Sequence, residues 1–151
     1  MYFVEVVLPL SLPKTFTYLV SEAEYHYVVK GMRVVVPFGK SKLYTGLIFD
    51  KHQTPPLLYE PKEIFQILDE KPIVNEFQLQ HWVWISNYYM CNLGEVYRGA
   101  VPTNLLLESE TIINYKNDFN QDLESLTDDE YLVVSALQQQ SSLKINDVIS
   151  I

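Results

Sequence analysis

Short apolar runs that end at proline or glycine corners dominate residues 1–70, and they constrain the fold more than any other feature of the chain. The runs are rich in β-branched and aromatic residues, which is typical of strands. Strands at this spacing favour a small barrel or curled sheet over a βαβ unit. The predicted strands are residues 2–8, 15–20, 32–36, 44–49 and 63–68, with 32–36 and 44–49 forming a hairpin.

The period of the apolar residues changes at Asn75. Asn75 and Gln78 have the spacing of a capping box, which predicts a helix that continues to about Met90. One stripe at helical spacing is formed by Trp82, Ile85 and Tyr89, with Val83 and Tyr88 on its flanks. We expect this face to pack across the sheet rather than to form an exposed stacking platform. The predicted fold class is mainly β with α: a small barrel-like curled sheet with a packed C-terminal helix, followed by a truncated winged-helix segment.

A polar and acidic stretch separates two regions of the chain. We predict a first domain over residues 1–105, a linker over residues 106–125, and the beginning of a second domain over residues 126–151. One short strand is expected inside the linker, at residues 111–115. The second region is too short to bury its own apolar face, so we expect the chain to be cut inside the second domain.

The second region begins with another helix signal. Thr127 and Glu130 have the spacing of a capping box, and the apolar pattern predicts a further short helix over residues 143–151. A helix, a serine-rich turn and a short helix are how a winged-helix unit begins. The recognition helix of such a unit is expected beyond Ile151.

The net charge of −8 is concentrated near the C-terminal end. Residues 1–105 carry nine Lys or Arg and ten Asp or Glu, whereas residues 106–151 carry two and nine. The first region therefore lacks a broad basic stripe but has room for a local basic face. Apolar runs fall short of the roughly 18 residues of a membrane span, and the N-terminus does not resemble a secretory signal. We expect a soluble, cytoplasmic protein without a membrane partner, whose mature chain starts at Met1.

The sequence has no recognisable catalytic or metal-binding constellation. Gly39, Lys40 and Ser41 match the end of a phosphate loop, but Val34 stands where that motif requires its first glycine. The three histidines are far apart, and Cys91 alone excludes both a disulfide within this chain and a cysteine-built zinc site. We therefore predict no catalytic residue, no metal and no cofactor, and a binding module rather than an enzyme.

Two corners of the predicted sheet share a binding chemistry. Residues 12–18 and 34–40 each carry a proline or glycine corner and place an aromatic side chain beside a lysine. Aromatic rings can pack on nucleobases and ammonium groups attract phosphates, so these corners suit a flexible anionic ligand.

The segments that carry these corners resemble a known family. LPKTFTY at 12–18, GMRVVVPFGK at 31–40 and KEIFQILD at 62–69 resemble the N-terminal region of the PriA (primosomal protein N′) family of bacterial replication-restart helicases. The resemblance covers about the first 105 residues in the right order. It implies a domain that captures the 3′ end of the nascent leading strand at a stalled fork, followed by a winged-helix domain and helicase lobes. The full-length protein would then be an ATP-dependent 3′-to-5′ DNA helicase, whereas this fragment is not expected to be an enzyme.

The resemblance also implies which residues bind the terminal nucleotide. In the family the pocket is built from a Thr-Phe-Asp-Tyr turn, a Pro-Phe-Gly-Lys corner and a lysine that precedes the later strand. Thr17 departs from the usual aspartate, and its hydroxyl lacks the charge and the second oxygen of a carboxylate. The residues implied for 3′-end binding are Phe16, Thr17, Gly39 and Lys62, with additional phosphate contacts from Lys14 and Lys40.

The partners implied are DNA forks, 3′ ends and junctions between single-stranded and duplex DNA. Other primosome proteins and single-stranded DNA-binding protein would be contacted through the full-length chain, in the bacterial cytoplasm at the replication fork. The alternative interpretation is a protein-interaction barrel domain that binds no nucleic acid, and the acidity of residues 106–151 favours it.

Overall fold

The computed structural model describes residues 1–40, 42–57, 59–110, 112–116 and 126–149. These residues form two compact units, Met1–Ser109 and Glu110–Ile151. The first unit extends past residue 105 because Thr45 N–H donates to the Leu107 carbonyl oxygen and Ser109 N–H donates to the Leu43 carbonyl oxygen. The predicted boundaries at 105 and 126 stay a prediction.

The first unit combines strands with short helices. Its elements are β1 (Tyr2–Val7), β2 (Phe16–Val20), α1 (Glu22–Tyr27), β3 (Arg33–Phe38), β4 (Lys42–His52), β5 (Gln66–Ile67), α2 (Glu76–Tyr89), α3 (Leu93–Ala100) and a 3₁₀ turn (Thr103–Leu105).

One antiparallel sheet organises the first unit, with strand order β2-β1-β4-β3-β5. The β3-β4 hairpin predicted from the sequence is present. Lys62 C=O accepts from Leu19 N–H and Ile64 N–H donates to Leu19 C=O, so the segment before β5 also contacts β2. These bonds form an isolated bridge rather than a continuous ladder. The mixed fold with an antiparallel sheet and helices is therefore confirmed, but the described residues do not form a closed barrel.

The two faces of the sheet contribute to two hydrophobic clusters. Alternation along β1 directs Val4 and Val6 to one cluster and Val7 to the other. The second cluster is completed by α2 and α3, through Trp82 and the fully buried Tyr97. The second cluster is thus the core that lies between the sheet and the helices α2 and α3.

For α2, the predicted start of the helix is correct, but part of the face predicted to be buried is exposed. The Asn75 side chain accepts from Gln78 N–H, and the Gln78 side chain accepts from Asn75 N–H, which confirms the capping box. Trp82 is buried as expected, but Tyr88 and Tyr89 are 65% and 67% exposed. The buried residues of α2 are Leu79 and Trp82, which both lie in the first half of the helix. This half therefore packs on the core, and the second half is more exposed.

Several other elements differ from the sequence prediction. The helices α1 and α3 were not predicted, and the strand expected over residues 63–68 is reduced to β5. The reduction follows from a change of partner: Glu63 and Ile64 contact β2, and the bonds to β3 begin only with the Phe65 N–H, which donates to the Val35 carbonyl oxygen. In the described part of the chain, no helix is long and apolar enough to cross a membrane.

The second unit contains β6 (Ile112–Asn114), α4 (Asp128–Gln140), β7 (Ser142–Lys144) and α5 (Ile145–Ile149). The capping box at Thr127 and Glu130 is confirmed. Leu143 was predicted to start a helix, but it lies in β7, which pairs with β6. The helix begins only at Ile145, and the last two residues of the predicted range lie outside the described residues. A winged-helix fold is not confirmed.

Candidate functional site

A pocket of about 300 Å³ lies where the start of β2 and the end of β3 meet the segment before β5. These three segments are distant in sequence, and the antiparallel sheet brings them together. The pocket is lined by Lys14, Phe16, Thr17, Tyr18, Phe38, Gly39, Tyr59, Glu60 and Lys62.

Aromatic packing forms the floor of this pocket. Phe16 and Phe38 meet edge to face with ring centroids 4.8 Å apart. The Tyr18 hydroxyl donates to the Pro37 carbonyl oxygen over 3.2 Å, and burial raises the pKa of Tyr18 above its ordinary value. These contacts fix the start of β2 against the end of β3. Phe16 itself is only half-buried, so its ring stays accessible from the pocket.

Gly39 and Lys62 face each other at the pocket wall. Gly39 has a φ of +70°, a left-handed conformation that the turn after β3 requires and that glycine adopts without a steric penalty. The Lys62 ammonium donates to the Gly39 carbonyl oxygen over 3.0 Å. Lys62 is exposed, and its own carbonyl oxygen is held by Leu19 N–H over 2.9 Å. The backbone of Lys62 is therefore anchored while its charge faces solvent.

Thr17 is buried and divides its hydrogen bonds between two directions. Its backbone N–H donates to the Tyr59 hydroxyl over 3.0 Å. Its own hydroxyl donates to the Glu5 carboxylate, which also accepts from the Thr15 hydroxyl over 2.6 Å and contacts His52 Nε2 over 3.0 Å. The hydroxyl hydrogen of Thr17 is thus engaged by Glu5, a residue of β1 that does not line the pocket.

The two lysines implied as further phosphate contacts are placed differently. The Lys14 ammonium lies 5.6 Å from the Phe16 ring centroid and 5.9 Å from the Tyr59 ring centroid, within cation–π range of both rings. Lys40 is exposed and is not among the residues that line the pocket. The structure therefore brings together Lys14, Phe16, Thr17, Gly39 and Lys62 and leaves Lys40 outside.

Sequence reasoning missed two polar groups of the pocket, Tyr59 and Glu60. Both lie in a loop between prolines, and no local pattern indicates which way a loop side chain points. Tyr59 reaches the pocket because its hydroxyl accepts from Thr17, 42 positions away. The pocket thus combines two ammonium groups, one carboxylate, the phenols of Tyr18 and Tyr59, and accessible aromatic surface. It has the groups needed to bind a ligand that contains both phosphate and an aromatic ring.

A second concave surface of about 420 Å³ lies beside α2 and includes Trp84. Trp84 stacks on His81 with ring centroids 5.7 Å apart and on Tyr88 with centroids 5.0 Å apart. Trp84 and Tyr88 are 53% and 65% exposed, so this stack faces solvent. Among the residues that the structure describes, no group of three or more His, Cys, Asp or Glu side chains has a geometry that could hold a metal ion.

Comparison with known proteins identifies similar sequences. Residues 5–102 match the family model of the PriA 3′DNA-binding domain (3′BD). The chain is 29% identical over 103 residues to the Replication restart protein PriA of Treponema pallidum. The aligned residues make up 66% of this chain and 16% of the relative. The corresponding protein of Haemophilus influenzae is 34% identical over 108 residues, which covers 70% of this chain and 14% of the relative. That of Buchnera aphidicola is 29% identical over 119 residues, or 77% of this chain and 15% of the relative. The chain thus spans only a small part of the length of these relatives.

Proposed function

The chain belongs to the PriA 3′DNA-binding domain family, and from this premise we propose that its pocket holds the 3′-terminal nucleotide of a DNA strand. The strand would be the nascent leading strand at a stalled replication fork. The observation that carries the proposal is the meeting of Phe16, Thr17, Gly39 and Lys62 around one pocket, although they come from three separate segments.

The chemistry of a strand end explains why a pocket is suited to this task. A 3′ end differs from the interior of a strand by its free hydroxyl and by the absence of the next phosphate. A pocket can accept the hydroxyl through backbone acceptors and exclude a further phosphate by its walls. The Gly39 carbonyl oxygen already accepts from Lys62, but it has a second lone pair for a ligand hydroxyl. Selection for the end is therefore largely steric.

Electrostatic attraction adds affinity without adding sequence preference. Lys62 and Lys14 supply positive charge at the pocket, where a phosphate of the bound strand would release counterions. Phe16 offers a ring face on which any base can pack. Both contributions are independent of base identity, as a domain that meets arbitrary strand ends requires.

The family relationship extends the proposal to the complete protein. The chain would form part of a replication-restart helicase that uses ATP, and other primosome proteins and single-stranded DNA-binding protein would be partners of the full-length chain. Its place would be the bacterial cytoplasm at the fork. The helix, strand and helix of α4, β7 and α5 support a winged-helix domain in the second unit. No catalytic role is proposed for the residues of this chain.

Fluorescence anisotropy with a labelled oligonucleotide tests the proposal. One probe is a duplex with a free single-stranded 3′ tail, and the other is the same duplex with its 3′ end blocked by a hairpin. At low salt, the chain is expected to bind the first probe more tightly than the second. The alternative is a protein-interaction domain that binds no nucleic acid, and the solvent-facing stack of His81, Trp84 and Tyr88 favours it. Equal and negligible binding of both oligonucleotides would support that alternative.

A further inference from the structure

Glu5 lies on β1, between β2 and β4, and its carboxylate is bonded to three side chains. One oxygen, Oε2, accepts from the Thr15 hydroxyl over 2.6 Å, and the other, Oε1, accepts from the Thr17 hydroxyl. Oε1 also contacts His52 Nε2 over 3.0 Å, and this nitrogen is the donor because a carboxylate oxygen only accepts. The Glu5 side chain is 21% exposed. One half-buried carboxylate thus ties together β1, the start of β2 and the end of β4.

The two threonines flank Phe16, whose ring forms part of the pocket floor. Successive side chains of a strand point to opposite faces, so the threonine hydroxyls reach Glu5 while Phe16 points toward the pocket. The backbone ladder between β1 and β2 ends at the pair of Val6 and Phe16. Beyond that pair, the Thr15 hydroxyl continues the attachment of the chain to β1. The chain is therefore held on both sides of the Phe16 ring.

The same attachment holds Lys14, the residue before Thr15. Lys14 lines the pocket, and its ammonium lies 5.6 Å from the Phe16 ring centroid. A lysine side chain has many rotamers, so a backbone and a ring that are already held in place reduce the entropy lost when a ligand binds. Glu5 thus acts on two groups of the pocket, although it does not line the pocket itself.

We propose that Glu5 is a positioning residue of the pocket, which holds Lys14 and Phe16 in place for DNA. It acts through the two threonine hydroxyls and not by contact with the ligand. The inference rests on the proposed function and deepens it. A negative charge near a DNA site repels phosphate, so electrostatics alone predicts that removal of the Glu5 carboxylate strengthens binding. Positioning predicts the opposite sign.

Glu5→Met tests this sign, because methionine has a similar length but no charge and only a weak acceptor. The probe is an oligonucleotide with a free single-stranded 3′ tail, titrated at low salt by fluorescence anisotropy. Glu5→Met is expected to bind it about 3- to 10-fold more weakly than the wild type, the cost of ordering one or two side chains on binding.

Glu70→Met is the matched control, because Glu70 is exposed and lies outside the pocket. It removes the same charge and should bind the probe at least as tightly as the wild type. Binding by Glu5→Met as tight as that of Glu70→Met would overturn the inference.

Substitutions of Thr15 test the same attachment with Glu5 left in place. Thr15→Val keeps the shape of the side chain but loses the hydroxyl, and it should bind the probe about 3-fold more weakly. Thr15→Ser keeps the hydroxyl and should bind as the wild type does. The double variant of Glu5→Met and Thr15→Val should bind no more weakly than Glu5→Met alone, because both changes break the same hydrogen bond. Losses that multiply would show independent effects and contradict the inference.

Urea unfolding of each variant separates positioning from stability. A merely structural role of Glu5 would lower the free energy of unfolding in Glu5→Met and Thr15→Val but would leave the DNA affinity of the folded protein unchanged. That result would overturn the inference and leave the proposed function in place. Failure of wild-type protein to bind any 3′-tailed DNA would overturn the proposed function and the inference with it.

Discussion

The Lys62 ammonium donates a hydrogen bond of 3.0 Å to the Gly39 carbonyl oxygen, across 23 positions of sequence. The bond links the segment before β5 to the turn after β3, and it places a positive charge at the rim of the pocket. The bond is exposed, so it contributes little to stability. The main consequence of the bond is that it holds the Lys62 ammonium at the pocket.

Lys62→Ala is expected to weaken DNA binding about fivefold at low salt, because it would remove the phosphate contact proposed for Lys62, worth about 1 kcal/mol. The loss should be similar for all sequences, since phosphate carries no sequence information. The plot of log affinity against log salt should become shallower by about 0.7, the contribution of one phosphate of single-stranded DNA. Anisotropy titrations at several salt concentrations measure both quantities. Lys71→Ala is the matched control, because Lys71 is exposed but lies outside the pocket, and an unchanged slope for Lys62→Ala would remove Lys62 from the phosphate contacts.

Gly39→Ala and Gly46→Ala should destabilise the fold for different reasons. Gly39 has a φ of +70° and nothing within 4 Å of an added Cβ, so alanine meets only backbone strain of about 1 kcal/mol. At Gly46 the added Cβ would overlap the fully buried Val6 side chain, and overpacking costs about 2–3 kcal/mol. Urea unfolding gives both values. Equal losses would contradict this assignment, and Gly39→Asn should lose less than Gly39→Ala because asparagine tolerates positive φ.

The fold is expected to lose stability at alkaline pH through Tyr18 and Tyr97. Burial raises the pKa of both phenols, so above about pH 10 the unfolded chain releases protons that the folded chain retains. The contribution of these two tyrosines to the free energy of unfolding is fully present below pH 10. As the pH rises from there toward the pKa of the folded state, the free energy of unfolding falls by about 1.4 kcal/mol per pH unit for each tyrosine. Urea unfolding at a series of pH values measures the slope. Tyr97→Phe should flatten it, whereas Tyr27→Phe, at a residue 52% exposed, should leave it steep.

Trp84→Ala should leave the affinity for a 3′ end unchanged. Trp84 belongs to the solvent-facing stack on α2 and does not line the pocket that contains Lys62. Its exposed side chain also contributes little to the core, so the variant should fold. Anisotropy with the same 3′-tailed oligonucleotide makes the comparison. A loss as large as that of Lys62→Ala would move the binding surface from the pocket to α2.

Local signals in the sequence predicted element starts well. The capping boxes at Asn75 and Thr127 predict the starts of α2 and α4, because a cap needs only residues within one turn. The same signal, from Ser21 to Glu24, starts the unpredicted helix α1. The strand content of residues 1–52 was also predictable, since alternation and β-branching are local properties.

Features that depend on distant partners were not predictable from local pattern. Leu143 lies in a strand because β6 pairs with it, and nothing in its own segment indicates that partner. Ile64 bonds to β2 and not to β3 for the same kind of reason. In the pocket, the family resemblance indicated Phe16 and Lys62, but Tyr59 is placed by its bond to Thr17 across 42 positions.

The most direct test compares one 3′-tailed DNA that ends in a free hydroxyl with the same DNA that ends in a 3′-phosphate. A pocket that accepts a strand end has no room for a further phosphate, so the chain should bind the hydroxyl end more tightly by at least about tenfold, which is 1.4 kcal/mol. The experiment is run by anisotropy at low salt, where the added charge of the phosphate would by itself strengthen binding to Lys14 and Lys62. Equal affinity for the two ends, or tighter binding of the phosphate, would contradict recognition of the 3′ end.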